Sequence, residues 1–151
     1  MYLGRMAYEY KATRRVEFSD TDMAGIMHYS NFFRFMETAE HAFFRSLGFS
    51  IVLGKVDPPV GWPRVRAECQ FKSPLYFEDE VEVHLLVSEK RSKSLSYIFK
   101  FLKLNVTPPE EVARGSLTVV CVRHDAGKMS ACSIPKSVAD KIQVAPEELL
   151  R

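Results

Sequence analysis

The sequence predicts an α+β domain in which one antiparallel sheet of about five strands wraps around one long central helix. Three observations carry this expectation. Phe32, Met36, Ala39, Phe43 and Leu47 recur at three- and four-residue steps, which marks one stripe of an α-helix. Four later runs instead alternate with period two, so each is expected to be a strand with one buried face. The turns between those runs are short, which makes neighbouring strands antiparallel. A sheet that wraps a mostly apolar helix is the economical way to bury both.

In chain order, Tyr8 to Phe18 is partly β-branched and aromatic, and reads as the first strand. Ser19 to Met27 carries Asp, Thr, Asp and Gly, the residues of a loop. The helix starts near Tyr29, with Ser30 or Asn31 available to cap it and Gly48 ending it. Phe33, Phe35, Ala42 and Phe44 broaden its apolar surface, so it should be covered on most sides. Ile51 to Pro63 is a connection rich in Gly and Pro. The strands that follow are built on Val65, Ala67, Cys69 and Phe71; on Val81, Val83, Leu85 and Val87; on Leu95, Tyr97, Phe99 and Phe101; and on Leu117, Val119 and Cys121. Lys72 to Asp79, Asn105 to Glu111 and His124 to Lys128 read as turns, and Ile134 to Ile142 as a short helix with Pro135 in its first turn. There is no internal repeat or linker, so residues 1–151 are expected to form a single domain.

Composition excludes several classes. Of the 151 residues 46% are apolar, which a disordered chain does not reach. A net charge of +2 gives no bulk drive toward nucleic acid. No apolar run is long enough for membrane insertion. Three cysteines without C-x-x-C spacing fit a reducing, cytoplasmic setting rather than a disulfide framework. No signal-peptide core precedes Met6, which could itself be a start and leave residues 1–5 as a disordered tail. His84 and His124 lack metal-ligand spacing, so no metal is expected. No G-x-S-x-G elbow is present, which argues against an α/β-hydrolase.

The chemistry concentrates at Asp20 to Phe32. Two carboxylates and a glycine loop stand just ahead of a buried helix. An acid, outward-pointing amides and an apolar wall are the ingredients of an acyl-transfer site. The run Asp20-Thr21-Asp22-x-Ala24-Gly25-Ile26-x-x-Tyr29-x-Asn31-Phe32 resembles the signature of the 4-hydroxybenzoyl-CoA thioesterase family, the hot-dog fold acyl-CoA thioesterases. The resemblance extends from about Arg14 to Val122, through Pro74, Asp79 and the basic turn Arg91-Ser92-Lys93-Ser94.

That resemblance implies hydrolysis of an aryl or short- to medium-chain acyl-CoA. Asp22 would be the nucleophile or the general base. The backbone amide of Tyr29, joined by that of His28, would polarise the thioester oxygen, with Gly25 allowing close approach and unusual dihedrals. His28 is a secondary general-base candidate, and also reads as a pocket-lining residue. Glu37 matches an acidic position that orients the site, or lies on a solvated helix edge paired with His41. Arg91, Lys93 and Ser94 match positions that bind the phosphates of coenzyme A. Cys69, Cys121 and Cys132 are weak nucleophile candidates. No cofactor is expected, since coenzyme A is part of the substrate. The family implies a homodimer or homotetramer with sites between subunits, Arg91 and Lys93 serving the neighbour's ligand. Two alternatives remain at this level: a thioesterase acting on acyl-carrier-protein thioesters, and a non-hydrolytic protein that binds acyl thioesters.

Overall fold

The computed structural model describes residues 6–52 and 59–151. The expected tail at 1–5 and the middle of the Gly/Pro connection, 53–58, lie outside those residues. The first strand, β1, spans Glu9–Arg15, shorter than expected because Phe18–Asp20 turns into a single 3₁₀ turn. The long helix, α1, covers Tyr29–Ser46. Four strands follow: β2 (Arg64–Phe71), β3 (Glu80–Lys90), β4 (Ser94–Lys103) and β5 (Glu110–Val120). They form one antiparallel sheet in the order β1-β3-β4-β5-β2. This is the hot-dog arrangement, a five-stranded sheet curled around one helix.

The helix is held at both ends by local chemistry. Its N-cap is His28 rather than Ser30 or Asn31: the ring Nδ1 accepts the Ser30 N–H at 3.2 Å. At the other end Gly48 adopts φ +89°. Its N–H donates to Arg45 O and the Phe49 N–H to Phe44 O, both at 3.0 Å. This is the paired closing bond of a left-handed glycine cap. Phe32, Phe35, Met36, Ala39, Phe43 and Phe44 are buried against the sheet.

Three strand expectations need correction. The β2 strand has no buried face: it is a sheet edge, and Val65 and Phe71 are exposed. Conversely β3 is buried on both faces at His84 and Leu86, because the C-terminal segment crosses its outer side, with Ala145 N–H donating to Val87 O. Finally, the stretch around His124 is not just a turn. It joins two further strands, β6 (Val122–Asp125) and β7 (Lys128–Ala131), in an exposed hairpin. The expected C-terminal helix is a single turn, α2 (Lys136–Ala139), capped by Pro135; another turn, α3 (Glu147–Leu150), follows.

Candidate active site

The loop ahead of α1 is anchored at both ends to the β2–β3 connection. Val16 N–H donates to Asp79 O and Met27 N–H to Leu75 O, and Ile26 bridges to Tyr76. Within the loop the two carboxylates have different work. The Asp20 carboxylate accepts the Glu17 N–H at 2.9 Å, and its carbonyl accepts both the His28 N–H and the Asn31 side-chain amide. Asp20 is thereby consumed in holding the helix start. The Asp22 carbonyl accepts the Gly25 N–H, but among the described residues its carboxylate accepts only the Ala24 N–H, at 2.8 Å through Oδ1, and the residue lines two clefts.

The first cleft, of about 410 Å³, is walled by Ile26, Met27, Tyr29, Phe32, Phe71 and Pro74, with Lys72 and Ser73 completing it. The second, of about 610 Å³, lies on the other side of Asp22 among Phe18, Thr21, Met23, Gly25 and Phe77. An acid between two mostly apolar clefts can act on a group whose two halves lie in them.

The amides settle into one clear donor. The His28 N–H, expected to share the oxyanion role, is already spent on Asp20 O. The Tyr29 N–H donates to no protein acceptor among the described residues. It is the first amide of an 18-residue helix, where aligned peptide dipoles favour negative charge. Gly25 sits at φ +80°, and a Cβ there would meet nothing within 4 Å. It is required for its dihedral rather than for close approach to other parts of the chain. The His28 ring is stacked on Tyr29 at 4.6 Å and is engaged with Ser30 through Nδ1, so its role here is to cap and to pack.

The remaining expected residues do not meet Asp22 within this chain. Glu37 is 53% exposed beside His41 at 3.8 Å, the solvated-edge arrangement. Arg91 is exposed and paired with Glu89; Arg91 and Lys93 belong to the β3–β4 turn, and Ser94 is the first residue of β4. That turn lies at the far end of the sheet: Ser94 pairs with Val120 and Lys90 with Leu95, whereas Arg15–Glu80 and Val81–Lys103 mark the Asp22 end. The 11 residues of β3 separate the two ends by about 36 Å.

The cysteines are poor nucleophiles. Burial pushes the Cys69 thiol up to about 11, and burial together with Cys132 pushes Cys121 up to about 12. No cluster of His, Cys, Asp or Glu among the described residues has a metal-binding arrangement.

A buried ion pair escaped the sequence reading. Glu40 is fully buried on the inner stripe of α1 and is bound by Arg64 at the start of β2. Arg64 also donates to Trp62 O at 2.9 Å. Burial lifts the Glu40 carboxyl above the usual range against the pull of Arg64. The Tyr97 phenol faces the same carboxylate without completing a hydrogen bond, and the Trp62 indole N–H is also unpartnered. The signal was present: Glu40 continues the Phe32–Met36 step of four, while Glu37 does not.

A five-stranded antiparallel sheet curled around one helix is the hot-dog fold, and the comparisons with known proteins place the chain among its thioester hydrolases. The chain matches the Thioesterase-like superfamily over residues 16–142 and belongs to it. It is 28% identical to a 1,4-dihydroxy-2-naphthoyl-CoA hydrolase of Synechococcus sp. (strain CC9902) over 137 residues, 87% of this chain and 88% of that protein. The structure of a gentisyl-coenzyme A thioesterase superposes with a TM-score of 0.74 at 35% identity, covering 86% of this chain and 99% of the other. The 4-hydroxybenzoyl CoA thioesterase of Pseudomonas sp. strain CBS-3 shares the fold, with a TM-score of 0.79 at 22% identity over 89% of this chain and 99% of the other. No described helix is long and apolar enough to cross a membrane.

Proposed function

We propose that this protein hydrolyses an aryl acyl-CoA to the free aryl acid and coenzyme A. The observation that carries the reading is Asp22 lining a ring-walled cleft beside the unused Tyr29 N–H. The aryl ring would enter between Phe32, Phe71 and Pro74, and the pantetheine arm would leave past Gly25. The carbonyl oxygen would lie on the Tyr29 amide, which gains strength as negative charge develops there. Asp22 Oδ1 is steadied by Ala24. The carboxylate then either attacks the carbonyl carbon or takes a proton from the water that does. The C–S bond breaks and the thiolate leaves; in the first route water then hydrolyses the Asp22 anhydride to release the acid and restore the carboxylate, and in either route the proton given up by water goes to the thiolate by way of solvent. Water is the only co-reactant, so no cofactor is needed. Relatives whose names specify hydroxylated aryl-CoA substrates support the aryl choice.

A second copy of the chain belongs to this reading. The β2 edge leaves a row of unpaired backbone groups with Val65 and Phe71 exposed, a surface that sheets normally cover. Antiparallel pairing of two β2 edges would lay the basic-turn end of one subunit beside the Asp22 end of the other. Arg91 and Lys93 would then reach the coenzyme A phosphates of the neighbour's site, in a cytoplasmic homodimer or a tetramer of such dimers.

The test is thiol release from benzoyl- and hydroxybenzoyl-CoA by wild type and by Asp22→Asn. The variant should lose about 10²- to 10⁴-fold in kcat, the range of a positioned acid–base group, and keep its melting temperature. Near wild-type turnover in Asp22→Asn would refute the role of this carboxylate.

A further inference from the structure

The inner face of the sheet is stacked in layers beneath α1, and the layers change character with depth. In the layer nearest Asp22, Phe71 of β2 and Phe101 of β4 both pair with Ala113 of β5. Phe32 lies over this layer, edge-on to Phe71 at 5.0 Å and to Phe101 at 5.2 Å. One step deeper, Cys69 and Phe99 both pair with Gly115. Met36 fills that layer so closely that a Cβ on Gly115 would come within 2.5 Å of its Cε. In the third layer Ala67 and Tyr97 pair with Leu117, and the helix supplies Glu40 with its Arg64 partner. The helix residues of the three layers, Phe32, Met36 and Glu40, are one turn apart, about 6 Å of depth per step.

Only the first layer opens to the cleft. Phe32 and Phe71 line it, with Phe101 buried directly behind them, whereas Met36 and Phe99 of the next layer are sealed from solvent and touch no part of it. We propose that the Phe32–Phe71–Phe101 layer is the end wall of the acyl pocket, that it admits a flat aryl group and rejects longer alkyl chains, and that Met36 is a second plug behind it. This rests on the thioesterase reading given above. The third layer sets an absolute limit. An alkyl chain that passed both plugs would arrive at a buried carboxylate whose Oε2 and facing Tyr97 hydroxyl have no hydrogen-bond partner among the described residues, where apolar atoms gain nothing and the ion pair loses its packing.

The experiment compares kcat/KM for benzoyl-, octanoyl-, decanoyl- and palmitoyl-CoA in wild type, Phe71→Ala, Phe32→Ala and Phe32→Ala/Met36→Ala, with folding checked by circular dichroism. Phe71 is half exposed, so its truncation leaves the core intact and keeps the test informative if Phe32→Ala unfolds. Opening the wall should raise the octanoyl-to-benzoyl ratio at least about tenfold, the lower end of what one or two methylenes are worth in an apolar pocket. The double variant should extend the range to decanoyl- but not palmitoyl-CoA. An unchanged ratio in folded Phe71→Ala overturns the end wall, and hydrolysis of palmitoyl-CoA by the double variant overturns the limit set by Glu40. If wild type releases no thiol from any of the four esters, the thioesterase reading itself fails, and the pocket assignment with it.

Discussion

At the scale of single residues, the two aspartates of one loop separate by what they are bonded to. Asp20 is tied to Glu17 and, through its carbonyl, to His28 and Asn31. Replacing it with alanine should cost stability, about 1 kcal/mol for a lost capping acceptor, and lower kcat by less than about tenfold, since a positioned acid–base group accounts for much more. His28→Ala should behave alike, because its ring caps α1 and lines neither cleft. Thermal melts alongside thiol-release kinetics check both, and a kcat loss comparable to that of Asp22→Asn in either would reassign the acid or base. The preference for Asp22 over Asp20 rests on the resemblance to the thioesterase signature. The loss of the His28 amide to Asp20 was not legible in the sequence, because a hydrogen bond across eight residues of loop depends on how that loop folds. Glu40 was legible as a position on the stripe, but its partner Arg64 lies 24 residues away across a connection whose path the sequence does not dictate.

At the scale of elements, the β2–β3 connection holds the site loop in place, and Asp79 holds that connection. Burial works to raise its carboxyl, but the Tyr76 N–H, the Asn105 amide and the Lys103 ammonium outweigh it and keep it below the usual carboxylate range. A depressed folded value means that the unfolded chain binds the proton more readily. The stabilisation is therefore present above the unfolded value of about 4 and is lost as pH falls through the folded one. Asp79→Asn should lower stability at pH 7 by about 1.5–3 kcal/mol, as for hydrogen bonds to a charged group. The gap to wild type should close progressively below about pH 4. Denaturation at pH 7, 5 and 3 measures it, and a gap independent of pH would remove the charge from the explanation. The helix and the inner faces of β3 and β4 were readable because their periodicity is set by burial on one side. That logic failed for β2, whose alternation is real but whose apolar face is left open at the sheet edge, and for His84, whose cover comes from a segment 60 residues downstream.

At the scale of the whole molecule, a single chain holds the acid at one end of its sheet and the basic turn at the other. If sites are assembled from two copies, subunits with complementary defects should rescue one another. Asp22→Asn and Arg91→Ala/Lys93→Ala chains, each impaired alone, should recover about a quarter of wild-type activity at low substrate when co-refolded, since half the dimers are mixed and each mixed dimer has one intact site. No recovery, with mixed dimers verified by mass, would place both groups in service of the same subunit or remove the basic turn from binding.

The strand order also has a consequence for the birth of the protein. Among the described residues β2 has its only strand partner in β5, with Arg66 opposite Thr118. A ribosome emitting roughly 5–20 residues per second leaves β2 without a neighbour for several seconds. During that interval α1 is already complete, and β1, β3 and β4 can gather against its apolar stripe before β5 arrives to receive β2. The closing pairing spans roughly fifty residues, the kind of distant contact that slows folding. The same edge that invites a second copy in the finished protein is thus the last part of the sheet to be secured, and chains emerging together on one message meet while it is still bare.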